Sequence, residues 1–159
     1  MCFSDNLDDC TGLSQIVLPF FSGLYLHTSG ILGASPDAIA DDFLVEIKCP
    51  YTHRESRDLK ESYTMRQQPS KRYLVNFDKT QMKWILNTAH PYYHQIQGQL
   101  YFPKKELRYF FIWTLNTCAL FEICKDHSWI HNIDLLIDFH INNFIPYILD
   151  HKFDEWYDD

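Results

Sequence analysis

Asp37, Glu46 and Lys48 are the residues of this sequence whose types and spacing could do chemistry. Asp37 follows Pro36 directly, and further on Val45-Glu46-Ile47-Lys48-Cys49 sets two charges into what would otherwise be a buried apolar strand. Glu46 and Lys48 are two positions apart, so on a strand they leave one face while Val45, Ile47 and Cys49 take the other. Such a strand gives the core an apolar face and carries a charged edge. If the chain turns back around residues 40–42, Asp37 comes opposite Glu46, and the two carboxylates can share a divalent cation with Lys48 beside them. That set suits phosphodiester hydrolysis, where the phosphate must be neutralised, a nucleophile made and the departing oxygen stabilised. A lysine beside the cation can orient or deprotonate the water, or it can stabilise the pentavalent transition state. Taken alone, the same residues also read as a turn cap after Pro36 and a solvated ion pair. Crowded like charges further predict that either carboxylate can be removed without loss of the fold.

The elements that must position these residues follow from the pattern of the chain. Residues 1–14 show no period and read as loose. Residues 15–21 and 24–28 are rich in β-branched and aromatic side chains, are split by Ser22-Gly23, and read as two short strands or a strand and a turn, with Ser29-Gly30 punctuating after them. Residues 52–65 are charged and helix-permissive and predict a short helix over the site. Residues 72–77 and 81–86 read as a hairpin. Pro91 then opens a helix, with Asn87 or Thr88 near its cap. On it Tyr93, Ile96 and Leu100 form one face, and Tyr92, Gln95 and Gln99 another. A face of Tyr and Gln suits the orientation of a water or phosphate beside a metal, because buried amides need partners. Solvent serves those amides equally well. Residues 107–114 and 119–124 are two more strands. Asp126 caps a long amphipathic helix through roughly Leu149, with Trp129, Ile133, Leu136, His140 and Phe144 on one stripe and Pro146 kinking its end. His90 and His94, and His127 and His131, stand at i,i+4, but neither pair has the third ligand of a zinc site, so both read as surface or packed histidines.

A chain of 159 residues that is 46% hydrophobic and 16% aromatic supports one domain with a real core and excludes disorder. Its apolar runs are too short for a transmembrane span. Its acidic start does not read as a signal peptide. The five cysteines form no CxxC pair and read as free thiols in an intracellular, reducing compartment, nucleus or cytoplasm. The net charge is −7, yet residues 48–83 carry nine Lys and Arg against four acids. A basic segment directly after the carboxylates is what a groove tracking a phosphate backbone needs; it is equally what a solvated polar face looks like.

The run GASPDAIADDFLVEIKCPYTHR from Gly33, followed by HPYYHQIQGQLYF from His90, resembles the YqaJ-type viral recombinase family, relatives of the phage lambda exonuclease within the PD-(D/E)xK nuclease superfamily. The resemblance runs from about Ser22 into the C-terminal helix, and the two motifs in order are more specific than either alone. It implies an α/β (α+β), restriction-endonuclease-like fold, a central mixed sheet flanked by helices with a long C-terminal helix, in a single domain over residues 1–159. It implies Asp37, Glu46 and the Ile47 carbonyl as ligands of Mg²⁺, with Mn²⁺ as a substitute, and Lys48 as the catalytic lysine. Gln95 matches the family's active-site helix glutamine, with Tyr92 its companion. Arg54 matches a residue that contacts DNA phosphate, and Ser35 and Tyr92 are assigned to DNA with it. The partner implied is the end of duplex DNA, with no membrane involved, and relatives assemble as ring-shaped trimers. Two departures stand out. Ala38 replaces the glycine of the family's SPDG, and residues 1–14 show nothing like the family's N-terminal helical region with its active-site glutamate. Two functions follow: a Mg²⁺-dependent exonuclease of recombination or mobile-element type, or a catalytically silent nuclease-like module that binds DNA or a partner.

Overall fold

A computed structural model describes residues 3–6, 23–64 and 72–150. In chain order its strands are β1 (Phe3–Asn6), β2 (Tyr25–Leu26), β3 (Gly33–Ala34), β4 (Ala38–Ile39), β5 (Phe43–Lys48), β6 (Val75–Asp78), β7 (Lys83–Leu86), β8 (Leu107–Trp113) and β9 (Cys118–Cys124). Five of them form one sheet in the order β1-β9-β8-β5-β4. β5 and β8 run parallel and the other neighbours antiparallel, so the sheet is mixed, as expected. A parallel pair needs a long crossover, and everything between β5 and β8 supplies it. That crossover contains a 3₁₀ turn (Tyr51–His53), the short helix α1 (Leu59–Ser62), the β6–β7 hairpin and the helix α2 (Pro91–Tyr101).

α2 lies across the sheet because Tyr93, Ile96 and Leu100 fall on one side of it and are buried with Leu44, Phe110, Ile112, Phe121 and Ile123. Its start follows the rule for proline at the first helical position, although the cap is His90, whose Nδ1 accepts the Tyr92 amide hydrogen at 3.0 Å. The single helix expected over residues 52–65 is two shorter pieces. Asp58 caps the second by accepting from the Lys60 and Glu61 amides. The β6–β7 hairpin forms where expected, and Asp78 closes its turn by accepting from Thr80 and Gln81.

Three further expectations change. Residues 3–6 are not loose: they pair with β9 at the sheet edge, where unpaired backbone groups of β9 offer a partner regardless of side-chain pattern. The long C-terminal helix is segmented into a 3₁₀ turn (His127–Ile130), α3 (His131–Phe139), a π-helical turn (His140–Phe144) and α4 (Ile145–Leu149). Pro146 lacks the amide hydrogen that the Asn142 carbonyl would take, and the turn before it widens. Of the predicted stripe, Trp129 and Ile133 are buried while Leu136 and Phe144 are exposed. Finally, Cys118 is disulfide-bonded, so the chain does not carry five free thiols. Spacing along the chain does not reveal which sulfurs the fold brings within bonding reach. The strand read at residues 15–21 lies outside the described residues.

Candidate active site

The site is built on the end of β5. Ala40 donates to the Phe43 carbonyl at 2.9 Å and closes the turn between β4 and β5, which sets Ala38 opposite Val45. The same register continued by one residue places Asp37 opposite Glu46. Here the β4 ladder stops and a side chain takes over: an Asp37 carboxylate oxygen accepts the Ile47 amide hydrogen at 2.7 Å. The N–H and C=O of one strand residue point to the same edge, so the Ile47 carbonyl shares that open edge with the Asp37 carboxylate. Asp37 is exposed.

Glu46 and Lys48 do leave one face of β5, but it is the face packed under α2, in line with Leu44. Ile47, expected in the core, is 41% exposed. A carboxylate can stand on the core face because it is paired twice. One Glu46 oxygen meets the Lys48 ammonium at 2.5 Å, and the other accepts from Nη2 of Arg108 on β8. Arg108 also donates to the Val45 carbonyl at 3.2 Å and is wholly buried, while its Nε and Nη1 have no partner among the described residues. Burial lowers its pKa to about 10, against the opposing pull of Glu46 and Asp37, so it stays charged at neutral pH. Arg108 was not singled out from the sequence. The signal was present: it is the one charged residue within the apolar run Leu107–Trp113.

α2 forms the roof. Tyr92 lies beside Lys48, whose Nζ sits 4.7 Å from the ring centroid. One turn pair further on, Gln99 is buried and its Nε2 donates to the Ser35 carbonyl at 3.2 Å, two residues before Asp37. The Tyr92, Gln95, Gln99 stripe therefore runs from Lys48 to the segment that carries Asp37, with the exposed Gln95 midway. Lys48 and Tyr92 line one cleft together with Cys49, Arg72, Tyr73 and His90. Ser35 and Gln95 line a second, with His94, Gln99, Phe102 and Trp129. Arg54 lines neither cleft. It is exposed, stacked at 4.4 Å over the Tyr51 ring and 3.3 Å from Glu55. Arg54, Arg57, Arg72, Lys79 and Lys83 of the basic segment all reach the surface. Two of that segment's acids, Asp58 and Asp78, are engaged as caps.

Of the paired histidines, His127 and His131 are exposed, and His90 and His94 hold local structure. His90 caps α2 and donates to the Arg72 carbonyl at 3.2 Å, and His94 accepts from the Trp129 indole at 2.9 Å. Among the described residues no three His, Cys, Asp or Glu side chains gather as a metal site. Asp37, Glu46 and the Ile47 carbonyl at the end of β5 offer hard oxygens, although both Glu46 oxygens are held by Lys48 and Arg108. Hard oxygens fit a cation of the Mg²⁺ type, which usually takes only one or two protein carboxylates and keeps several waters.

The fold resembles that of a known exonuclease. The crystal structure of an alkaline exonuclease from Laribacter hongkongensis matches this chain with a TM-score of 0.53 at 21% identity, over 82% of this chain and 58% of that one. The chain thus spans under two thirds of that protein, and at this identity the likeness is one of fold. No family model matches the chain, and no curated protein matches it. Among the described residues no helix is long and apolar enough to cross a membrane.

Proposed function

We propose that this protein is a metal-dependent deoxyribonuclease of the viral-recombinase type, acting at duplex DNA ends. The observation that carries the reading is the convergence of Asp37, Glu46, Ile47 and Lys48 at one strand end, on a fold shared with an exonuclease. Asp37, Glu46 and the Ile47 carbonyl would hold Mg²⁺ or Mn²⁺, which when bound supplies an activated water and neutralises phosphate charge. Lys48 is held between a Glu46 oxygen and the Tyr92 ring, with a side chain 28% exposed, so its ammonium can turn toward an incoming phosphate and donate or shuttle a proton at Nζ. Gln95 orients the water from the roof. Ser35, Tyr92 and Arg54 contact the DNA strand, and the exposed basic side chains after β5 follow its backbone.

A second reading, a catalytically silent module that still binds DNA, draws on a specific observation: both oxygens of Glu46 are already taken by cationic side chains. One experiment separates the two. Purified protein is incubated with linear and with circular duplex DNA, in Mg²⁺ and in EDTA, and the same samples are run as a gel shift. Loss of linear DNA in Mg²⁺ alone supports the exonuclease. Binding without hydrolysis under every condition supports the silent module, and neither binding nor hydrolysis overturns both.

A further inference from the structure

We propose that Arg108 makes cation binding at this site conditional on DNA, so that the metal and the phosphate enter together. The inference rests on the nuclease reading and concerns the charge balance of its site. Lys48 and Arg108 both pair with Glu46, and the Asp37 carboxylate lies within electrostatic reach of Arg108, so the four side chains sum to zero charge before any metal arrives. A divalent cation added to a neutral cluster leaves it strongly positive, and the like charge of a guanidinium touching one of its ligands opposes it directly. A phosphodiester brings the missing negative charge.

The two counter-charges are not equivalent. Lys48 is partly exposed and can swing away from Glu46. Arg108 cannot: it sits on β8, between β9 and β5, with no exposed surface and with its Nη2 also held by the Val45 carbonyl. Its charge is a permanent part of the site. Nor does stability explain it. Nε and Nη1 are buried without a partner, and its strand neighbours on the same face are Phe110 and Ile112, so an apolar residue would continue the core. Replacing a buried ion pair by apolar residues is often neutral or stabilising. What the arginine does supply is a standing penalty on a metal that comes alone. Linkage is reciprocal, so the cation raises affinity for DNA by the factor by which DNA raises affinity for the cation.

The test measures Mn²⁺ binding by electron paramagnetic resonance, with and without a short duplex carrying hydrolysis-resistant phosphorothioate linkages. Mn²⁺ taken up by the duplex itself is subtracted with the Asp37→Ala protein. The expected result for the wild type is weak Mn²⁺ binding alone and binding tightened about tenfold or more by the duplex, within the usual range of coupling between sites. Arg108→Met, if folded by circular dichroism, should bind Mn²⁺ tightly without DNA and gain little from it. Wild-type affinity that is equal with and without bound duplex overturns the proposal, and that measurement needs no variant. So does a folded Arg108→Met with unchanged affinity. No Mn²⁺ binding at Asp37 even with the duplex bound overturns the nuclease reading and this proposal with it, whereas tight Mn²⁺ binding without DNA overturns this proposal alone.

Discussion

Gln97 clamps the backbone at Asp126: its Oε1 accepts the Asp126 amide hydrogen at 2.8 Å, and its Nε2 donates to the Cys124 carbonyl at 3.2 Å. The side chain is wholly buried, and it ties α2 to the end of β9. Gln97→Leu should therefore lower stability by about 1–3 kcal/mol, since it strands a buried donor and acceptor. Gln95→Ala, two positions away but exposed, should fall within about 0.5 kcal/mol of the wild type and cut hydrolysis instead. Urea denaturation of both variants beside the wild type checks the contrast. A Gln95→Ala protein as unstable as Gln97→Leu would remove the division of roles.

The two carboxylates should behave differently, contrary to the equal tolerance expected from like-charge crowding. Asp37→Asn keeps an oxygen to accept from Ile47 and loses the charge, so the fold should survive with hydrolysis abolished. Glu46→Ala leaves Arg108 buried and unpaired, and breaking a buried pair this way costs about 3–5 kcal/mol. Thermal melts of the two proteins decide it. If Glu46→Ala melts with the wild type, Arg108 is not held by Glu46 in solution.

Lys48→Ala should slow turnover by roughly 10²–10⁴-fold, the usual range for a group in proton transfer, while the fold is kept. One Glu46 oxygen loses its partner, but Arg108 retains the other. Single-turnover rates alongside filter binding report chemistry and affinity separately. A large drop in affinity with unchanged single-turnover rate would recast Lys48 as a binding residue.

Tyr63 gives a pH dependence whose sign can be worked out. Its phenol is buried beneath the β6–β7 hairpin, and burial, with the Tyr73 phenol beside it, raises its pKa from 10.0 to about 12. The folded state thus keeps a proton that the unfolded chain releases first. The resulting stability is fully present below pH 10 and is lost as the pH rises from about 10 to 12. A shift of that size corresponds to roughly 2–3 kcal/mol. Urea midpoints at pH 9 and pH 11 should therefore diverge less in Tyr63→Phe than in the wild type. An identical pH dependence in both would assign the alkaline loss to other groups, such as Tyr93, whose pKa burial and the Asp126 carboxylate also raise.

The order of elements and the triad of Asp37, Glu46 and Lys48 could be read from the chain because both are local. Apolar, aromatic-rich runs mark strands such as β8, Pro91 marks the start of α2, and a turn near Ala40 suffices to bring Asp37 level with Glu46. The direction in which β5 faces could not be read, because the Glu46 carboxylate is tolerated on the core side through two pairings, one of them with Arg108, a partner on another strand across a long crossover. The same distance hid the burial of Gln97: it and Gln95 are glutamines on one helix, and only the packing of α2 against β9 decides which is buried. Periodicity reports what a residue's own element prefers, whereas burial of charge and amide is settled by partners the tertiary fold supplies. The sequence by itself determined that carboxylates and a lysine meet on one strand end. Only the tertiary structure decided that a fourth, permanently buried charge sits among them, and so what the site's net charge is.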